Sequence, residues 1–152
     1  DARKSKAKAL GLTQTEVSTL ASIVEKETLV REEKPRVAGL YLNRIRRGIK
    51  LQADPTVIYA LGDFTVNRVL REHLKIDNPY NTYMYKGLPP GPICIPEPSS
   101  IDAVLNPEKH NYIFMCAKAD FSGYHSFATN LREHNRNARA YQRALNERKI
   151  FK

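Results

Sequence analysis

Apolar residues recur along this chain first with a helical period and later with a two-residue one. Val17, Leu20, Ile23 and Val24 fall on one face at 100° per residue, the stripe of an amphipathic helix. Thr13 is placed as its N-cap, Glu16 closes a capping box three residues on, and Leu12 and Val17 are spaced for a hydrophobic staple. The pattern predicts a helix over residues 14–30, ended by "REEKP", because Pro35 disfavours a helical Lys34 and suits a first helical turn. A second helix then carries Val37, Leu40, Tyr41 and Ile45 on one face, with Gly48 just past its end. "ADPTVIYALG" predicts a shorter helix with Asp54 as N-cap, Pro55 in the first turn and Gly62 as the stop. Further short helices are predicted over residues 65–74 and after Ser100.

Residues 77–100 hold six of the nine prolines and two of the seven glycines, yet interleave them with Tyr80, Tyr83, Tyr85, Leu88, Ile93 and Ile95. Flexible linkers lack aromatics, so the segment reads as an ordered loop. "NYIFMCAKADFSGYHSFAT" reads as a β-hairpin turning near Gly123, and Asn130 caps a last helix, "LREHNRNARAYQRALNERK". There is no internal repeat. The expectation is a single α+β domain, mainly helical, with one small antiparallel hairpin.

Composition narrows this picture. A chain of 152 residues buries roughly 70% of its unfolded surface and needs no staple to fold. Lys and Arg number 25 against 16 Asp and Glu, a net charge of +9 that implies an anionic partner: nucleic acid, an anionic membrane or an acidic polymer. "RKSKAK" reads as a solvated basic arm over residues 1–10, leaving the domain proper to residues 11–152. Cys94 and Cys116 lack CxxC spacing, which leaves a disulfide between them open, and the four histidines lack metal-ligand spacing. No metal or cofactor is expected.

"ASIVEKET" carries two glutamates one residue apart. Glu27 lies about 30° from the centre of the apolar stripe and Glu25 about 130° away, so Glu27 turns inward and Glu25 goes to the solvated face. Burial penalises the charged carboxylate and raises its pKa, as a general acid working near neutral pH requires. The alternatives are pairing with an internal arginine such as Arg44, or a place at the stripe's edge within reach of water. Two polar clusters bear on the choice. "LQADPT" gathers Gln52, Asp54 and Thr56 around a helix start, and "PYNTY" sets Asn81 and Thr82 between Tyr80 and Tyr83. Amides and hydroxyls beside aromatic faces suit a carbohydrate, although Asp54 before Pro55 is equally a simple cap and the tyrosines are equally core.

"LASIVEKET", "LYLNRIRRGIKLQADPTVIYALG", "PYNTYMYKGLPPGPI" and "HSFATNLREHN" together resemble the catalytic domain of the endolytic murein transglycosylases, the MltG (YceG-like) family, over residues 11–149. The resemblance implies a lysozyme-like catalytic helix whose glutamate, the second of the E-K-E triplet, is Glu27. It implies cleavage of the β-1,4 bond between N-acetylmuramic acid and N-acetylglucosamine by this single acid and base, leaving a 1,6-anhydro ring. Gln52, Asp54, Asn81, Thr82 and Tyr83 are the expected substrate contacts, with Tyr83 stacking on a sugar. Peptidoglycan glycan strands are the expected partner, beside wall-synthesis machinery such as penicillin-binding proteins. The family carries an N-terminal membrane anchor and a LysM-like domain, neither seen in this sequence. The implied location is the bacterial cytoplasmic membrane, with the catalytic domain facing the periplasm or wall. Two readings compete: a basic nucleic-acid-binding module using the last helix, whose Glu133 and Glu147 interrupt its charge, and a wall-binding domain without activity.

Overall fold

The computed structural model describes residues 2–63, 65–66 and 68–150. Among them are six α-helices and one two-stranded antiparallel sheet: α1 (Ala2–Ala9), α2 (Gln14–Glu27), α3 (Lys34–Arg47), α4 (Asp54–Leu61), α5 (Pro98–Leu105), β1 (Phe114–Ala117), β2 (His125–Ala128) and α6 (Leu131–Ile150). The expected α+β architecture, helical with a small hairpin, is the one observed.

Helix α2 is the centre of the domain. The capping box at its start forms as expected, with Thr13 Oγ1 accepting from the Glu16 amide at 3.1 Å and Glu16 Oε1 accepting from the Thr13 amide at 2.9 Å. Its stripe packs against α3 and α5, so that Leu20, Ile23 and Val24 are fully buried together with Val37 of α3 and Val104 of α5. Burying one such aliphatic side chain is worth roughly 1.5–3 kcal/mol, and this three-helix contact is the main apolar core. Helix α3 approaches the 108–110 segment so closely that Gly39 has no room for a side chain: a β-carbon there would overlap the Glu108 carbonyl and sit 2.8 Å from His110 Nε2.

The hairpin pairs Phe114 with Ala128 and Ala117 with His125, and α6 lies across both strands. Asn130 caps α6 by accepting from the Glu133 amide at 2.9 Å. The basic arm is helical over Ala2–Ala9. Most of α1 is exposed, but Ala7 is buried in the core and Arg3 pairs with Asp102 of α5 at 3.2 Å.

Three local expectations are corrected. Helix α2 stops at Glu27, short of residue 30, because Thr28 turns extended (φ −144°, ψ 139°) and its buried hydroxyl accepts from the Val30 amide at 3.1 Å. A β-branched residue with its own local acceptor favours that turn over another helical step. Asp54 is the first residue of α4 and not its cap; Ala53 occupies the cap position and the Asp54 carboxylate is free for other work. The helix expected over 65–74 is instead a 3-10 turn at Arg71–Lys75, since Asp63 Oδ1 accepts from both the amide (3.1 Å) and the hydroxyl (2.5 Å) of Thr65 and holds a turn there. Phe64 and Asn67, within or beside that stretch, lie outside the described residues. Cys94 and Cys116 are free thiols.

Candidate active site

The early end of α2 puts Glu27 at the last helical position, where its side chain leaves the helix into a pocket of ≈ 170 Å³. Tyr41 and Arg44 of α3, Gln52 and Asp54 at the start of α4, and Tyr83 from the proline-rich loop share that pocket, with Ile113 and Met115 of the hairpin region on its apolar side. Glu27 makes one hydrogen bond that fixes it: the Tyr41 hydroxyl donates to its Oε2 at 2.7 Å. Arg44, the alternative partner, is engaged elsewhere. Its guanidinium donates to the carbonyls of Ile113 (2.6 Å) and Lys50 (2.8 Å), tying the hairpin to the 48–52 turn.

Glu27 is pushed up to about 7 from an ordinary 4.5. Loss of hydration is the main cause; the Tyr41 hydrogen bond opposes it, the Asp54 charge adds to it and His125 opposes it. Its position adds a further push, since the C-terminal end of a helix carries partial negative charge and disfavours a carboxylate. At neutral pH Glu27 therefore exchanges readily between acid and base. Tyr41, buried beside it, is held well above the ordinary phenol range by desolvation and by the Glu27 charge and hydrogen bond, so it stays a donor.

The second carboxylate in the pocket is Asp54, which accepts from the Tyr83 hydroxyl at 2.5 Å. That bond closes the pocket between α4 and the loop. Gln52 is exposed and holds a left-handed backbone (φ 51°), a conformation uncommon for a residue with a side chain. Its backbone N–H donates to the Thr82 carbonyl at 3.2 Å, which ties this turn to the proline-rich loop.

Asn81 and Thr82 are placed differently from the expectation of direct sugar contact. Both are buried and their polar atoms are already used. Asn81 donates to the carbonyls of Leu74 and Ile76 (2.9 and 2.8 Å) and accepts from the Tyr83 amide (3.0 Å); Thr82 Oγ1 accepts from the Ala53 amide (2.9 Å) and meets the Thr56 hydroxyl (2.8 Å). They are the brace that holds Tyr83 over Asp54. Tyr80 packs at a tilt against Tyr59, ring centroids 4.7 Å apart, outside the pocket.

Glu25 is also misplaced by the helical wheel. Its Oε1 accepts from the Ser100 hydroxyl (2.6 Å) and the Glu97 amide (3.1 Å) and lies 3.5 Å from buried Lys34 Nζ. Desolvation raises its pKa, but Ser100, the Glu97 amide and Lys34 outweigh this and the net shift is downward. The residue missed outright was Tyr41. A tyrosine on a core-facing stripe needs a partner for its hydroxyl, and an inward glutamate needs a donor, so the pairing had a signal in the sequence. Among the described residues no three His, Cys, Asp or Glu side chains gather as a metal-binding group.

The model of the YceG-like family matches residues 1–140. The chain belongs to that family. Within the YceG-like family it is 40% identical over 130 residues to a Bacillus subtilis protein named endolytic murein transglycosylase, covering 86% of this chain and 35% of that one. It is 35% identical over 134 residues to a protein of the same name from Streptococcus pneumoniae serotype 2, covering 86% and 24%. A crystal structure of a YceG-like protein from Listeria monocytogenes matches with a TM-score of 0.81 at 36% identity, over 88% of this chain and 43% of that one. The YceG-like family read from the four motifs is thus the one found, and the chain spans about a third and a quarter of the length of those curated relatives.

Proposed function

We propose that this domain is an endolytic peptidoglycan lytic transglycosylase in which Glu27 alone is acid and base. The observation that carries the reading is a carboxyl group with a pKa of about 7 at the base of an open pocket, in a chain whose relatives are named endolytic murein transglycosylases. Protonated Glu27 gives its proton to the glycosidic oxygen as the bond to the muramoyl C1 breaks. The resulting carboxylate takes the proton from the muramoyl C6 hydroxyl as that oxygen closes on C1, forming the 1,6-anhydro ring and restoring the acid. The nucleophile is part of the substrate, so its effective concentration is high and no water has to be positioned. Tyr41 holds Glu27 in place through both steps. Tyr83 and Gln52 contact the sugar, and Asp54 orients Tyr83, with Asn81 and Thr82 bracing the loop beneath.

A second reading has an observation of its own. Asp54 is in the same pocket and is not spent as a cap, and a pair of carboxylates also serves a hydrolase. Digestion of purified glycan strands in isotopically labelled water separates the two. The transglycosylase leaves internally cut fragments ending in 1,6-anhydro-N-acetylmuramic acid, one water lighter than hydrolytic ends and free of label. Labelled reducing ends as the main product assign Asp54 a direct part and overturn the single-carboxylate mechanism. Full activity in a Glu27→Gln variant overturns both.

The substrate places the working site outside the cytoplasmic membrane, near penicillin-binding proteins. Among the described residues no helix is long and apolar enough to cross a membrane.

A further inference from the structure

A second cleft, of ≈ 560 Å³, opens on the other side of Asp54. Its walls are Ile58 of α4, Arg68 and Val69 of the following segment, and Tyr141, Gln142 and Lys149 of α6. Asp54 lines both this cleft and the Glu27 pocket, so the two adjoin at that residue. The cleft's chemistry differs from that of the pocket. Arg68 and Lys149 are exposed cations with no hydrogen bond or ion pair among the described residues. Tyr141 is a half-buried aromatic wall fixed by the Phe121 ring, centroids 5.8 Å apart. The Gln142 amide nitrogen donates to Asn146 Oδ1 at 3.2 Å, and its own carbonyl oxygen accepts nothing among the described residues.

We propose that this cleft is a flanking subsite that seats the saccharide unit next to the scissile bond, with Arg68 and Lys149 taking a carboxylate of that unit's peptide stem. The assignment rests on the glycan-cleaving reading above and deepens it. An aromatic wall with an open amide acceptor suits the C–H face and hydroxyls of a sugar. The two free cations answer the anionic part of the same polymer, the stem carboxylates, and so draw on the chain's net charge of +9 at a definite place.

The test uses two substrates and one double variant. Glycan strands with intact peptide stems and strands stripped of them by an amidase are cut by the wild-type protein and by Arg68→Ala/Lys149→Ala, both exposed positions whose loss leaves the core untouched. In parallel, a disaccharide-peptide and the bare disaccharide are titrated into each protein by calorimetry. Exposed charge pairs contribute about 0.2–1 kcal/mol each, so with both cations removed the preference for stem-bearing over bare substrate, as a ratio of kcat/KM or of affinities, should fall roughly two- to thirtyfold in the variant. High salt should lower the wild-type preference towards the variant's. Cleavage with an unchanged ratio overturns the subsite and leaves the activity standing. Stem-dependent binding that the variant loses, without any cleavage, overturns the activity and leaves the subsite standing. Absence of both binding and cleavage overturns both.

Discussion

Replacing Glu27 with glutamine should make the protein more stable and less active, and the stability gain should depend on pH in a defined way. The folded state holds the Glu27 proton more tightly than the unfolded chain, with a pKa of about 7 against 4.5. Acid therefore favours folding through this group. Its contribution is fully present below pH 4.5, is lost as pH rises through about 7, and is constant above that. At about 1.4 kcal/mol per pH unit the gap amounts to up to about 3 kcal/mol at alkaline pH. Glutamine keeps the volume and the acceptor for the Tyr41 hydroxyl, and its extra amide hydrogens face an open pocket, so it removes the buried charge without leaving a void. Urea unfolding at a series of pH values should show the two proteins equal near pH 4.5 and the variant ahead by up to about 3 kcal/mol at pH 8, or about 6–12 °C in Tm for a chain of this size. Turnover of glycan strands should fall about 10²- to 10⁴-fold, the range for loss of a general acid and base. A variant no more stable than wild type at pH 8, or an advantage that persists undiminished at pH 4.5, would refute the assignment of a desolvated carboxylate.

Tyr41→Phe removes the donor that favours the Glu27 carboxylate, so the alkaline limb of the pH–rate profile, set by the protonated acid, should move to higher pH; an unmoved limb would mean that the Tyr41 bond does not tune the acid. Glu25→Gln should retain activity per folded molecule but cost about 1–3 kcal/mol, because it weakens the hold on buried Lys34 and on the start of α5. That loss should be fully present above pH 4.5 and shrink as pH falls below it through the lowered pKa of the folded Glu25 carboxyl, and denaturant titrations at pH 7 and at successively more acid pH values check both arms. Gly39→Ala forces a β-carbon onto the Glu108 carbonyl, and the overpacking should cost about 1–3 kcal/mol in the same assay.

The parts of this molecule legible in its sequence are those decided locally. The capping box of α2, the glycine that ends α3, the hairpin and the Asn130 cap each depend on residues within a few positions of one another, and each is found. The inward turn of Glu27 was legible for the same reason, since helical period alone sets its direction. Asn81 and Thr82 defeated the reading because the groups that bind a sugar are the groups that bind the protein's own backbone. Only the burial supplied by α4 and the 3-10 turn tells the two uses apart. The same holds for Asp54, which has the residue type and neighbours of a cap but is recruited by Tyr83, 29 positions away.

Glu25 and Glu27 show why the wheel alone misjudged one of the pair. A helical wheel knows the helix's own stripe and nothing of what covers its other faces. Beside Glu25 the start of α5 arrives from 72 residues downstream, and its amide at Glu97 reaches the carboxylate. A helix N-terminus carries partial positive charge and favours a carboxylate, whereas Glu27 sits at the C-terminus of α2, which disfavours one. The two glutamates thus meet opposite helix ends, one borrowed and one their own. Lys34 and Ser100 deepen the first effect, and desolvation in the pocket deepens the second. One carboxylate stays ionised and holds α5 to α2. The other, two residues on, is left with a pKa of about 7, in the range the proposed acid and base requires.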